Sequence, residues 1–540
     1  MKTQRNFSRG LLCLVACVVL AATASFGVRP FGAARQKETG QEKQTDAAAK
    51  QVKIDLTRAV KVSIPKALRE LTPEAFTTAD GKRGWVVRVP GGRPLATPAY
   101  ADGKLFVGGG YGSNDFYAFD AKTGSLVWKV HTSDDGPTAA VVEDGYVVFN
   151  TESCTLIVVD EKTGKLVWQQ WLGDPLMSQP AISNGRVYMA HPGGQRGQAN
   201  QQQLAPNAVQ QNAAAHVAPK PSQPVPQQAA QAANTPGEAA AETGSHSLLC
   251  ADLKTGRHIW ERAISSDVIS APVVSEGKVY FTTMDGASYC LDSADGRVLW
   301  KKENAGTSAP VVVAGEVVMT QKEERGNKAY EGLRRLDASG DDKDKRLIAS
   351  DEAAYLGENK GGGVALKSEA QGTLDSSVGF GSAPATAQLD KANKNIGVKT
   401  VVGGWAYQGS RAAYSNGQMM NAQGRYLNSI NAKSGDLSWR AEVSGDGLTA
   451  DSQVFSPPAL GEKFMYLSSS LGHLLSVNQK EGDVGFMYQF GEPMVFQPAL
   501  AEGSVYVGTS NGLLICLHTG SADADGWYAW GGNAEHNKSK

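Results

Sequence analysis

The chain has few cysteines, almost no net charge and little helical patterning. Its 540 residues hold six cysteines, and no Cys-x-x-Cys occurs. That spacing excludes zinc ribbons, thioredoxin-like redox centres and c-type haem attachment together. A disulfide scaffold of this length would carry more cysteines, so burial must supply stability. With 53 basic and 54 acidic residues the formal charge is −1, and no global field favours nucleic acid. Eight histidines are scattered without metal-ligand spacing. No arrangement of Ser, His and Asp marks a hydrolase triad. Apolar residues make 41% and charged residues 20%, which excludes a wholly disordered or polytopic membrane chain. What is abundant is turn chemistry, with 61 glycines and 23 prolines. Many turns imply many short strands, and the first expectation is an all-β protein.

The N-terminus carries the marks of export. Lys2, Arg5 and Arg9 precede an apolar stretch from Leu11 to about Ala22, closed by Ala22-Thr23-Ala24. Charge, apolar core and small residues in that order read as a signal peptide over 1–24. The run is short for a bilayer-spanning helix, which needs about 20 apolar residues. An uncleaved anchor and a lipoprotein signal at Leu14-Val15-Ala16-Cys17 stay open. Removal of the signal leaves Cys154, Cys250, Cys290 and Cys516. Residues 25–75 are mostly polar, charged and alanine-rich, and read as a tether.

Beyond the tether the sequence repeats. Asp120-Ala-Lys-Thr-Gly-Ser-Leu-Val-Trp128 returns as Asp160-Glu-Lys-Thr-Gly-Lys-Leu-Val-Trp168 and as Asp252-Leu-Lys-Thr-Gly-Arg-His-Ile-Trp260. Asp292 to Trp300 and Asn431 to Trp439 keep the spacing, and Asn478 to Phe486 keeps it more weakly. Trp128 and Trp168 lie 40 residues apart, as do Trp260 and Trp300. A period near 40 with four strand-sized pieces per unit is the pattern of propeller blades. The Asp-x-x-Thr-Gly pieces read as tight turns rather than calcium loops. The tryptophans read as packing between blades. Cys250, Cys290 and Cys516 fall two residues before the repeat's Asp position and read as small core residues.

Departures from the period locate two long insertions. A Gln/Ala/Pro-rich stretch at 193–245 cannot bury enough apolar area to fold alone and is expected to be a mobile loop. A second insertion is expected at 341–400, in blade five. Innermost strands beginning near 96, 138, 178, 270, 308, 410, 456 and 496 count eight blades. The expectation is an all-β, eight-bladed β-propeller of four-stranded blades over 76–530, with a tail at 531–540. Thr77 to Trp85 fits the Asp-to-Trp register, so the N-terminal segment is expected to complete blade eight and close the ring. Gly526-Trp-Tyr-Ala-Trp530 stands as the alternative closing strand.

The repeat resembles the quinoprotein-like (PQQ-type) β-propeller family, through the recurrent Leu/Ile-x-x-Asp-x-x-Thr-Gly-x-x-x-Trp pattern. The resemblance implies fold more firmly than activity. The family holds quinone-dependent dehydrogenases and non-catalytic envelope proteins, among them the propeller lipoprotein of the outer-membrane β-barrel assembly machinery. A dehydrogenase would need pyrroloquinoline quinone with calcium, a central Asp base and commonly a vicinal cysteine pair. No Cys-Cys pair occurs, and no flanking motif aligns a catalytic Asp. The implied function is therefore an exported, non-enzymatic scaffold without a cofactor or metal. It would sit in the periplasm or cell envelope, attached to the membrane if the N-terminus is lipidated or retained. Its partners would be envelope proteins, within reach of outer-membrane protein assembly. A quinone-dependent dehydrogenase or quinone-binding protein, and a glycan- or peptide-binding propeller, are the alternatives.

One segment breaks the repeat: Gly403-Gly-Trp-Ala-Tyr-Gln-Gly-Ser-Arg411. It precedes the innermost strand of blade six and is expected at the channel mouth. Trp405, Tyr407, Gln408 and Arg411 combine aromatic area with directed donors, as binding hot spots do, and are the candidate partner-binding residues. Local packing beneath the second insertion is the other reading. Loops leading into innermost strands share a face with loops joining second and third strands. The 193–245 insertion should fringe that face. The second insertion, if it joins the third and fourth strands of blade five, should lie opposite.

Overall fold

Eight antiparallel sheets follow one another around an axis in the computed structural model, which describes residues 49–173, 178–193, 244–353, 356, 383–398, 401–449 and 452–533. The expected signal peptide, most of the 193–245 insertion and most of the tail lie outside the described residues. Each blade runs outward from a short innermost strand. These are Ala99–Ala101, Val141–Glu143, Ala181–Ser183, Val273–Ser275, Val311–Val313, Ala413–Ser415, Ala459–Leu460 and Ala499–Ala501. Small and β-branched residues suit a crowded axis, and the fold is the expected eight-bladed propeller.

The turn-and-tryptophan repeat is the joint between blades. In the turn after Asp120, the Asp120 carboxylate accepts from Thr123 N–H at 2.8 Å, and Gly124 takes φ +74°. A Cβ on Gly124 would lie 2.7 Å from the Trp85 ring, so glycine is required for contact as well as for conformation. The indole of Trp85 donates to Ala121 O at 3.2 Å, and Trp128 donates to Glu161 O at 3.0 Å in the next blade. The same step recurs from Trp260 to Ser293 and from Trp439 to Gln479. Blade five breaks the series, because its outermost strand Ile348–Glu352 has no Trp. Arg335 takes the role. Its guanidinium donates to Ala432 O at 2.6 Å and is held by Asp344 at 2.5 and 2.9 Å.

Closure comes from the N-terminal side. Arg83–Arg88 is the fourth strand of blade eight and pairs antiparallel with Leu513–His518, with Trp85 opposite Cys516. The 526–530 segment does not take that place. Upstream of it the expected tether is corrected. Lys50–Asp55 adds a parallel fifth strand to blade six, Val60–Lys61 does so on blade seven, and Glu74–Thr77 extends blade eight. The average composition of this stretch hides an alternation: Lys53 is exposed while Ile54, Leu56 and Val62 are buried. Those few apolar side chains, with a free strand edge to pair, suffice to dock it. The cysteines at the repeated position behave as core residues, since Cys250, Cys290 and Cys516 are fully buried and form no disulfide. Burial pushes the Cys250 and Cys290 thiols up to about 11.

The second insertion is also corrected. Residues 348–352 belong to the blade-five sheet, so the added chain begins after Ala353 rather than at 341. It joins the outermost strand of blade five to the innermost strand of blade six. Its described part therefore lies on the same face as Gly193 and Gly244, which bound the first insertion between Arg186–Pro192 and His246–Asp252. We term this the upper face. The insertion contains two helices, α1 (Ala383–Ile396) and α2 (Val401–Ala406), which the strand-dominated sequence pattern did not announce.

Candidate functional site

The insertion crosses the upper mouth of the ring, anchored by hydrogen bonds, most of them between a side chain and a backbone group, and by apolar packing. In α1, Lys391 Nζ donates to Ser265 O at 2.8 Å and Asn395 Nδ2 to Gly306 O at 2.7 Å. Ala392 and Ile396 pack with Ile269 and Met284 of blade four. The chain then turns inward through α2. Trp405 packs edge-on against Phe496 (5.5 Å between ring centroids) and Tyr111 (6.1 Å), beside Ala96 and Ala139. Tyr407 donates its hydroxyl to Thr307 O at 2.8 Å and accepts at its carbonyl from Ser270 Oγ at 3.1 Å. Gln408 donates to Thr97 Oγ1 at 3.2 Å and accepts from Gln497 N–H at 2.9 Å. One short segment thereby ties blades one, four, five and eight across the axis.

The four candidate partner-binding residues of the segment are buried. Relative exposures are 3% for Trp405, 7% for Tyr407, 3% for Gln408 and 1% for Arg411. The structure brings the four together at the mouth, but their donors and rings are turned into the fold. Aromatic area with directed donors is equally the chemistry of a plug.

From the other side, the C-terminal segment closes the lower mouth. Trp527 exchanges backbone hydrogen bonds with Leu500, at 2.7 and 3.1 Å, and Tyr528 O accepts from Tyr100 N–H at 2.6 Å. The chain then enters the ring. Gly531 N–H donates to Gln497 Oε1 at 2.7 Å, and Trp530, with no exposed surface, lies under the Arg411 guanidinium at 4.4 Å.

Two positions before each innermost strand, a residue sits where the blades converge. Thr97, Gln179, Arg411 and Gln497 are the polar members, and Ala139, Ala271, Ala309 and Pro457 complete the ring. Arg411 and Gln497 make the same reach sideways, to Pro310 O at 3.4 Å and Pro458 O at 2.8 Å of the preceding blade. No member is an acid. Quinone chemistry would need an axial carboxylate base and calcium ligands. Among the described residues, no three His, Cys, Asp or Glu side chains converge on a metal position. The residues at the axis do not fit that group.

Sequence reasoning missed an acidic cluster on the upper face of blades one and two. Asp134 accepts from Thr151 Oγ1, Ser153 N–H (3.1 Å) and Ser153 Oγ (2.8 Å). Beside it, burial and then the adjoining Asp135 carboxyl push Glu152 up to about 8. Burial and then Asp134 raise Asp135 as well. Arg93 frames the cluster by donating to Tyr111 O at 2.8 Å. The only signal in the sequence was Asp134-Asp135 just ahead of an innermost strand.

The closed ring, its blade joints and its filled axis define an eight-bladed propeller of the quinoprotein-like repeat class. More particularly, the chain belongs to the family described as outer membrane protein assembly factor BamB, which it matches over residues 72–195, 222–367 and 397–524. It is similar to outer membrane protein assembly factor BamB of Burkholderia pseudomallei, with 25% identity over 272 residues, 47% of this chain and 68% of that protein. Among solved structures, BamB from Moraxella catarrhalis is 12% identical, with a TM-score of 0.47, covering 80% of this chain and 96% of that one. Quinohemoprotein alcohol dehydrogenase from Comamonas testosteroni is 12% identical, with a TM-score of 0.46, covering 82% and 77%.

Proposed function

We propose that the protein is an exported, non-enzymatic scaffold of the bacterial cell envelope that holds protein partners during outer-membrane protein assembly. The family match, running in three segments from residue 72 to residue 524, carries this reading. The filled axis supports it, because a ring whose interior is occupied by its own chain has only outer surfaces to offer. Exposed apolar side chains on outermost strands, such as Val127, Val167 and Trp171, are of the kind partner surfaces use. Export through residues 1–24, with membrane attachment by a lipid at Cys17 or by a retained anchor, belongs to the same proposal.

The test is depletion in a bacterium that carries the protein. Folded outer-membrane β-barrel protein, read by heat-modifiable gel mobility, should fall, and the tagged protein should co-purify with a barrel-assembly protein of that membrane. Unchanged barrel levels together with no such co-purification would overturn the scaffold reading. Substrate-dependent dye reduction with added pyrroloquinoline quinone and calcium would replace it with the dehydrogenase.

A further inference from the structure

Arg411 is the one charged residue in the ring where the blades converge, and it has no acid beside it. It is 1% exposed. Its Nη2 makes a single 3.4 Å hydrogen bond, to Pro310 O, and its guanidinium faces the Trp530 ring. Among the described residues Nη1 is buried with no hydrogen-bond partner, and neither has the hydroxyl of Ser410. Burial alone draws the guanidinium down to about 9, with no carboxylate acting in the other direction. At neutral pH the group still carries its proton. An ionised group in the interior without an opposite charge is among the costliest arrangements a fold can hold. Stacking on an indole and one long hydrogen bond to a carbonyl offset only part of that cost.

The residues just before Arg411 border a small cavity of about 30 Å³, lined by Gln408, Ser410, Ser456 and Pro457 but not by the guanidinium itself, so any species that meets Nη1 has one or two heavy atoms at most. Trp405, Trp530 and Arg411 are all buried, a setting that suits a small ion rather than a peptide carboxylate or a lipid headgroup. Water would satisfy Nη1 but would leave the charge in place.

We propose that a small monovalent anion, chloride under ordinary conditions, binds against Arg411 where the blades converge. It would neutralise the ring's single cation and accept from Nη1. The anion would act as a structural ligand of the closed ring.

Linkage makes the site measurable. An anion bound only by the folded state raises stability by about 1.4 kcal/mol per tenfold in concentration once the site is filling. For a chain of this size that is about 1–2 °C in Tm. Melting should therefore be followed in chloride and in methanesulfonate at equal ionic strength. Tm should climb with chloride, and Arg411→Met should abolish the difference between the two salts. Should that variant fail to fold, crystals of the unaltered protein grown in bromide decide the matter through anomalous scattering. A bromide peak within hydrogen-bonding reach of Nη1 supports the site. Water density there without a bromide peak, or identical melting of the unaltered protein in both salts, overturns it.

Discussion

A tryptophan that donates its indole N–H across a blade boundary does two tasks, filling the joint and fixing its register. Trp300 reaches Ala338 O at 3.2 Å while its ring lies 2.7 Å from where a Cβ on Gly340 would stand. Truncating such a side chain to alanine costs about 3–5 kcal/mol in typical cores. These residues were legible because they recur at a fixed interval. Arg335 was not, since it performs the tryptophan's task from a neighbouring strand and leaves no mark at the repeat position. Trp405, Tyr407, Gln408 and Arg411 were legible as an interruption, but a list of residue types does not say whether donors face solvent or the fold. Glu152 was invisible for a related reason, because its proton affinity depends on burial and on Asp135. Its consequence is a pH dependence of defined sign. Between the ordinary 4.5 and about 8, the folded state holds a proton that the unfolded chain releases. Stability from this group is complete below about pH 4.5 and is lost as pH rises through about 8. Denaturant midpoints measured from pH 5 to 8 should therefore decline less steeply in Glu152→Gln than in the parent. A slope unchanged by the substitution would place the titrating group elsewhere.

Strands and loops divide differently between the legible and the hidden. Strand alternation and turn glycines located every innermost strand to within a few residues. The fifth strands on blades six and seven escaped, because Lys50–Asp55 buries little more than Ile54 and pairs through its backbone. Helix α1 escaped because it is anchored by polar side chains donating to backbone carbonyls, and α2 because it is a six-residue helix that docks through Trp405 and Ala406 rather than by a broad apolar stripe. The 193–245 insertion can be tested through its anchors, since Gly193 N–H donates to Ser245 O at 2.8 Å. The two ends already stand side by side as one hairpin. Joining them directly should leave the ring intact, because loop length enters stability only logarithmically. A protein lacking residues 195–243 should melt cooperatively within a few degrees of the parent. Loss of soluble folded protein would mean that the insertion packs against the ring.

At the scale of the whole molecule, an N-terminal strand, Arg83–Arg88, and the last blade are one sheet. Val86 and Val87 are fully buried in a strand that lies between Leu513–His518 and Glu74–Thr77. The added strands on blades six and seven are, by contrast, outer layers. Truncation should separate the two roles. A chain beginning at residue 62 should fold with a lowered Tm, as the covered edge of Leu437–Ser444 becomes exposed. A chain beginning at residue 89 should aggregate, since the last sheet then presents an unpaired apolar edge. Equal solubility of the two truncations would show that the tail at 526–530 can stand in as the closing strand.

That shared sheet sets a timetable for the newborn chain. Arg88 and its partner Leu513 are 425 positions apart, and polypeptides grow at about 5–20 residues per second. The strand Arg83–Arg88 therefore waits roughly 20–90 s for its partner to be made. Throughout that interval seven blades can form while the eighth stays half built, its valines bare and its edge open. The time of greatest exposure to chaperones, proteases and neighbouring chains is thus written into which end of the chain supplies the last strand.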